Sequence, residues 1–332
     1  MIVVTGGAGF IGSAIVWGLN RRGEKDILVV DRLDEPGPPD GELNDKRRNL
    51  APLAYADYLD ADDFLDRIAR GGWETGVRAL IHMGAISSTT EMNADLLRRN
   101  NTEYTRTLAE YALRRGVRFI YASSAATYGD GHAGYSDDPA ALERLQPLNL
   151  YGESKHRFDL LAKSRGWLDR IAGLKYFNVF GPNEYHKGDM RSVVLKSYEQ
   201  IRGTGRVRLF KSHRPDYADG EQVRDFLYVK DAVDLTLFFL DRPSVHGIFN
   251  IGSGVTHTWK ELVTPVFAAM GRPVTIEYID MPAGIRDKYQ YHTLADLSRL
   301  RAAGCARPLT PLDGAVQEYV REYLIPHVCL SP

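Results

Sequence analysis

Ile2-Val3-Val4-Thr5-Gly6-Gly7-Ala8-Gly9-Phe10-Ile11-Gly12 is the stretch that decides the fold. The β-branched run predicts a short buried first strand. Glycines at 6, 9 and 12 allow a tight turn and a close backbone approach to a ligand. The helix expected over Ser13–Arg22, closed by Gly23, would present free N–H groups and a partial positive charge at its start. Strand, glycine turn and helix in this order form the context in which such glycines read as a dinucleotide pyrophosphate site.

Working outward, strands and helices alternate. Ile27–Val30 reads as a second strand ending at Asp31, and residues 34–42 as an exposed, turn-rich loop. A helix near 61–70, a strand at Ala79–His82, a helix near 94–115, a strand at Phe119–Ala122, a helix at 150–165 and a strand at Ile171–Tyr176 follow. Alternation of this kind predicts an α/β fold, a doubly wound parallel sheet covered on both faces. Beyond Asn178 the rhythm breaks. Phe226–Val229 with Asp231–Leu240 reads as a strand–helix unit returning to the sheet. The expected organisation is a nucleotide domain over 1–177 with 226–250 returning to it. A smaller C-terminal α/β substrate lobe would comprise 178–225 and 251–332.

The chain has 332 residues, a net charge of −1, 44% hydrophobic residues and 26% charged ones. That balance gives no electrostatic case for nucleic acid or an anionic membrane as partner. The two cysteines and nine histidines show no metal-ligand spacing, so no metal site is expected. No signal peptide fits the first residues, and no apolar run reaches the ~18 residues that span a bilayer. A reduced, cytoplasmic setting is the expectation.

Tyr151 and Lys155 fall four apart on the 150–165 helix and project from one face. A phenol is a poor base near neutrality, and a neighbouring ammonium is expected to lower its pKa. Such a pair can take a proton from a hydroxyl while hydride leaves the same carbon. Ser123 and Ser124 sit just past a strand, at the carboxyl edge where ligands bind in such sheets. Either hydroxyl could bond the reacting oxygen. At the nucleotide end, Asp31 is placed to bind the adenosine ribose and favours NAD. Arg32, with Lys46 behind it, permits the 2′-phosphate of NADP instead. Asp57, with Tyr58, is a candidate to flank the adenine. Gly84 and Ala85 are small enough for a cofactor to lie along the strand ends, and Ser87 could donate a hydrogen bond.

Glycine turn, acid, serine pair and Tyr-x-x-x-Lys together resemble the extended short-chain dehydrogenase/reductase family, its nucleotide-sugar epimerases and dehydratases in particular. Tyr176–Pro182, Arg224–Asp231 and Phe249–Gly254 resemble three further segments of that family. Within it, Gly84–Glu91, Tyr121–Gly129, His186–Met190 and Tyr289-Gln290 with Thr293 are most similar to the branch acting on ADP-linked heptoses. The resemblance implies a Rossmann fold and a tightly held NADP. It implies oxidation of the sugar at C6 to a ketone and return of the hydride to the other face.

Inverting one carbon needs proton-transfer groups on both faces. The resemblance assigns Tyr151 to one and Lys187 to the other, with Lys155 on the nicotinamide ribose and Ser124 on the reacting oxygen. It further implies that Phe10, Ile11, Asn100 and Val179 line the cofactor. Asn178, Asp189, Lys196, Phe210, Arg224 and Tyr289 would contact the ADP-sugar. A homo-oligomer is implied, with a pentamer as the candidate state. Asp189 stands where the family usually has Ser, and the stretches 34–45 and 211–223 are longer than the family's loops. The alternatives are a UDP-sugar 4-epimerase, a 4,6-dehydratase and a non-catalytic NADP-binding sensor. Ser124-Ala125-Ala126 carries no acid where a dehydratase has one. A sensor would tend to lose the Tyr151 and Lys155 pair, which this chain keeps.

Overall fold

The computed structural model describes residues 1–33, 45–73, 76–286 and 289–332. Most of the stretch expected as a loop at 34–45 lies outside the described residues. Seven strands form the central sheet: β1 (Ile2–Thr5), β2 (Ile27–Asp31), β3 (Asp57–Asp60), β4 (Ala79–His82), β5 (Arg118–Ser124), β6 (Ala172–Tyr176) and β10 (Gly247–Ile251). Their order is β10-β6-β5-β4-β1-β2-β3, and every pairing is parallel. All residues of β1, β2, β4 and β6 are buried, as strands covered by helices on both faces must be. The strand order reverses between β1 and β4, which opens a crevice at their carboxyl ends.

β3 was not anticipated. Its sequence Asp-Tyr-Leu-Asp lacks an apolar run because it lies at the sheet edge, where its residues stay partly exposed. The helix expected from Ser13 begins earlier and spans Phe10–Arg21. The 94–115 segment is helical but contains a π-helical stretch at Arg98–Glu103.

One expectation is corrected. Phe226–Val229 does not rejoin the central sheet. Those residues belong largely to β9 (Val223–Tyr228), which lies in a separate three-stranded sheet between β7 (Asn178–Phe180) and β11 (Thr256–Thr258). The chain leaves the main sheet at Phe177, whose amide bonds the Ile251 carbonyl, so β7 starts a new ladder that β9 joins in parallel. A strand's apolar run reveals burial but not which ladder it joins. What returns to the nucleotide domain is the helix Val229–Asp241 and then β10. A third sheet pairs β8 (Val207–Phe210) with β12 (Ile276–Ile279).

The returning helix packs on Phe10–Arg21 at Gly18, where an added Cβ would sit 2.4 Å from Val233 Cγ1. Gly18→Val is therefore expected to destabilise the protein by about 1–3 kcal/mol through overpacking. A fall in the urea midpoint at unchanged slope would register it, and an unchanged midpoint would contradict this packing.

Candidate active site

The glycine turn is built by close backbone approach. Gly6 has φ +65°, and a Cβ there would lie 2.6 Å from the Gly84 amide nitrogen. A Cβ on Gly12 would lie 2.0 Å from the Gly6 carbonyl oxygen. The turn is thus pressed against the segment after β4 and against its own helix, leaving the start of Phe10–Arg21 facing the crevice. These glycines form a cradle of the kind a pyrophosphate needs.

Asp31 ends β2 and turns toward this cradle. Its Oδ2 accepts the Ala8 amide at 2.9 Å, and its Oδ1 accepts the Arg32 amide and Lys46 Nζ, each at 2.8 Å. Tyr58 donates to the Asp31 carbonyl, while the Asp57 side chain caps the Tyr58 amide. Arg32 donates to Asn100 Oδ1 at 2.9 Å and to exposed Asp62 at 2.7 Å. Ala85 and Ser87 lie on the loop after β4, with Ser87 exposed.

At the other end of the crevice, Tyr151 and Lys155 are one helical turn apart on Leu150–Ser164, which Asn149 caps at the Gly152 amide. The helix lies so close to the turn after β5 that a Cβ on Gly152 would be 2.7 Å from the Ala126 carbonyl. Burial raises the Tyr151 pKa, and a hydrogen bond with the Ser124 side chain, which favours the phenolate, pulls it back. The expected net lowering by Lys155 is not found. Lys155 Nζ instead donates to the Ala122 carbonyl at 2.9 Å, and desolvation of the phenol dominates. Lys155 itself is lowered to about 8 by burial, with the Asp159 carboxylate acting against that.

The two serines divide. Ser123 points into the core and donates to Asp159 at 2.7 Å, whereas Ser124 stays at the crevice and caps the Ala126 amide. Successive strand side chains face opposite ways, so only one of the pair can meet Tyr151.

Lys187 lies in the turn Tyr185–Met190, its Nζ 5.3 Å from the centre of the Phe10 ring at the mouth of the glycine turn. Burial lowers its pKa, opposed by Glu184. This turn is fastened at several points. Glu184 accepts the Ser192 hydroxyl at 2.6 Å and the Tyr319 hydroxyl at 3.1 Å. Asn49 Nδ2 donates at 3.0 Å to both the Ala8 and Asn183 carbonyls, tying the Lys187 turn to the glycine turn. Thr89 reaches Met190 from the loop after β4.

In the second lobe, the Arg224 guanidinium sits between the rings of Trp259 (5.5 Å) and Tyr289 (5.1 Å) and donates to the Val223 and Gln290 carbonyls. Trp259 Nε1 bonds the Tyr289 hydroxyl at 2.8 Å, and the Phe210 ring meets Tyr289 edge-on. Asn178 is exposed at the start of β7, its Oδ1 accepting Thr293, and Val179 follows it half-buried. Lys196 bonds the Asp189 carbonyl while the Asp189 carboxylate faces solvent. Among the described residues no His, Cys, Asp and Glu cluster could hold a metal.

Sequence reasoning missed several residues of the site. Asn101 lies in the π-helical stretch and bonds both the Ile86 backbone and Ser154. Asn49, Glu184, Trp259 and Asp159 act through packing partners distant in sequence. Glu184 falls in the short gap between the family-like segments Tyr176–Pro182 and His186–Met190, and none of the four carried a local signal.

The arrangement brings together the glycine turn, the Tyr151, Ser124 and Lys155 group at the end of β5, and the half-buried Lys187 beside Phe10. A family model described as the NAD dependent epimerase/dehydratase family matches residues 2–252. An ADP-L-glycero-D-manno-heptose-6-epimerase of Nitratidesulfovibrio vulgaris (strain DP4) is 54% identical over 98% of each chain. The solved Helicobacter pylori ADP-L-glycero-D-manno-heptose-6-epimerase superposes with a TM-score of 0.80 at 27% identity, covering 97% of this chain and 95% of that one. A Thermus thermophilus UDP-glucose 4-epimerase solved in complex with NAD gives 0.73 at 25% identity, covering 96% and 97%. With the family model spanning most of the chain, and the cradle and Tyr–Ser–Lys group in place, the chain belongs to the NAD dependent epimerase/dehydratase family.

Proposed function

We propose that the chain inverts C6 of the heptose in ADP-D-glycero-D-manno-heptose, giving the L-glycero epimer, through a 6-keto intermediate and with NADP as resident cofactor. What supports this reading is that Tyr151 and Lys187, both largely withdrawn from solvent, sit on different elements and are each suited to move a proton. Tyr151 is held at Ser124 on the sheet's end, and Lys187 is held at Phe10 by the Glu184-anchored turn. A one-base site would suit a dehydrogenase. Inversion asks for a second base.

When bound, the oxidised nicotinamide supplies a hydride acceptor and a positive charge that favours a nearby phenolate. Tyr151 takes the C6 hydroxyl proton while Ser124 holds the oxygen. Lys155 orients the nicotinamide ribose and keeps a cation beside the phenol. Lys187, its ammonium weakened by burial, exchanges the proton on the opposite face once the ketone has presented that face. Arg224, stiffened between Trp259 and Tyr289, holds the diphosphate, with Asn178, Asp189, Lys196 and Phe210 completing the sugar-nucleotide site. Asn100, Val179, Gly84, Ala85, Ser87, Ile11 and Asp57 line the cofactor's course. The exposed Asp189 carboxylate is the feature least suited to an anionic ligand.

NADP is favoured over NAD because Asp31 is neutralised by Lys46 and two backbone amides. Arg32 pairs with the exposed Asp62, a solvent-screened contact weak enough to exchange for a phosphate. A cytoplasmic location and a homo-oligomeric state, a pentamer in this reading, belong to the same proposal. The two free cysteines fit the first. Light scattering on the purified protein tests the second.

Incubating ADP-D-glycero-D-manno-heptose with the protein and no added cofactor is expected to give both C6 epimers by proton NMR. An unchanged spectrum, also with NADP⁺ or NAD⁺ added, would move the substrate to another nucleotide sugar, a UDP-sugar among them. Tyr151→Phe and Lys187→Met should each lower turnover by roughly 10²–10⁴ with cofactor still bound. A wild-type rate from either would remove the two-base reading. Mass spectrometry of cofactor released on denaturation should find NADP. Lys46→Ala should weaken NADP by about tenfold, by losing a cation and freeing the Asp31 charge, and leave NAD nearly unaffected. Release of NAD from the native protein would reverse the cofactor assignment.

A further inference from the structure

Three side chains of the helix Leu150–Ser164 meet the end of β5 at successive helical turns. Tyr151 meets Ser124, and Lys155 donates to the Ala122 carbonyl. Asp159 accepts the Ser123 hydroxyl at 2.7 Å and the Tyr121 hydroxyl at 2.9 Å. Residues i, i+4 and i+8 of the helix thus step back along the strand. The third contact takes no part in the chemistry proposed above, yet it is the most deeply buried. Asp159 and Lys175 are each 0% exposed, with Lys175 Nζ 2.7 Å from Asp159 Oδ2. Lys175 stands opposite Ser123 in the β5–β6 ladder, also bonds Thr127 at 2.6 Å, and lies 5.1 Å from the centre of the Tyr128 ring. Apolar replacements for buried ion pairs are often no less stable, so stability alone does not account for this one.

We propose that Asp159, with Lys175 as counter-ion, is a positioning residue of the hydride-transfer site. It fixes the helix register that brings Tyr151 and Lys155 to Ser124 and Ala122, and its carboxylate favours the charged form of Lys155. This rests on the roles proposed above for Tyr151 and Lys155. The titratable groups whose charge acts with that of Lys155 are His82 from β4 and Asp159 from its own helix; Tyr151 lies one turn before it, and Lys175 from β6 pairs with Asp159. His82 is held neutral, its pKa lowered to about 3 by burial and by Lys155, between the hydroxyls of Thr5 and Thr105. Asp159 is therefore the anion acting on Lys155 among the described residues. With that anion gone, Lys155 sheds its proton at lower pH. The alkaline limb of turnover, set by the loss of this ammonium, then moves toward acid.

The test is the pH profile of kcat for the holoenzyme and its variants, each checked for folding by circular dichroism. Asp159→Asn is expected to move the alkaline limb down by about one pH unit, whereas Asp159→Glu, which keeps the charge, restores it. If Asp159→Asn does not fold, the double variant Asp159→Asn with Lys175→Met, which removes both charges, replaces it with the same expected direction. A folded variant with a lowered melting temperature but a wild-type limb would overturn the proposal and leave Asp159 purely structural. Tyr151→Phe run alongside separates the two readings. Full activity there would sink the hydride-site assignment itself, whatever Asp159 does.

Discussion

The active crevice depends on a steric constraint, the meeting of two backbones where β1 and β4 end. Gly6 and Gly84 approach so closely that no Cβ fits between them, and Gly12 meets the Gly6 carbonyl just as tightly. That contact packs the turn tightly at the sheet's switch point while aiming a helix N-terminus into the crevice. Several polar groups of the site are arranged around this junction. Asp31 reaches the Ala8 amide, Asn49 holds the Ala8 carbonyl, and the Lys187 turn hangs from the same Asn49.

A second set of constraints lies on the far side of the groove. The helix carrying Tyr151 and Lys155 can pack against β5 only because Gly152 admits the Ala126 carbonyl. Its depth has an electrostatic cost. Burial pushes the phenol up and the ammonium down, the directions that weaken each for its proposed task. Ser124 and Asp159 act against those shifts, one on each group. Reactivity here is a balance between desolvation and a few directed contacts, with desolvation the larger effect on both groups.

The second lobe holds its cation by a different means. Arg224 is buried between two aromatic faces and donates to backbone carbonyls, which fixes its plane but leaves its charge without a carboxylate partner among the described residues. Trp259 follows β11, which pairs antiparallel with β9, and Tyr289 precedes Tyr291, whose carbonyl accepts the Val223 amide of β9, so β9 brings both rings to Arg224.

The sequence by itself determined the nucleotide domain. Strand, glycine turn and helix are local patterns, and the alternation from Ile2 to Tyr176 identified five of the seven central-sheet strands, β1, β2, β4, β5 and β6, without any tertiary information. The Tyr151 and Lys155 pair was equally legible, because helical spacing is a property of neighbouring residues. Tertiary structure decided what depends on partners distant along the chain. It alone assigned Phe226–Tyr228 to the small sheet and β10 to the large one, since a buried apolar run looks the same in either ladder. It separated Ser124 from Ser123, turned Asp31 onto Lys46, and reversed the expected shift of the Tyr151 pKa. Side-chain direction, charge pairing and desolvation are set by what packs across the groove, and no local pattern encodes those neighbours.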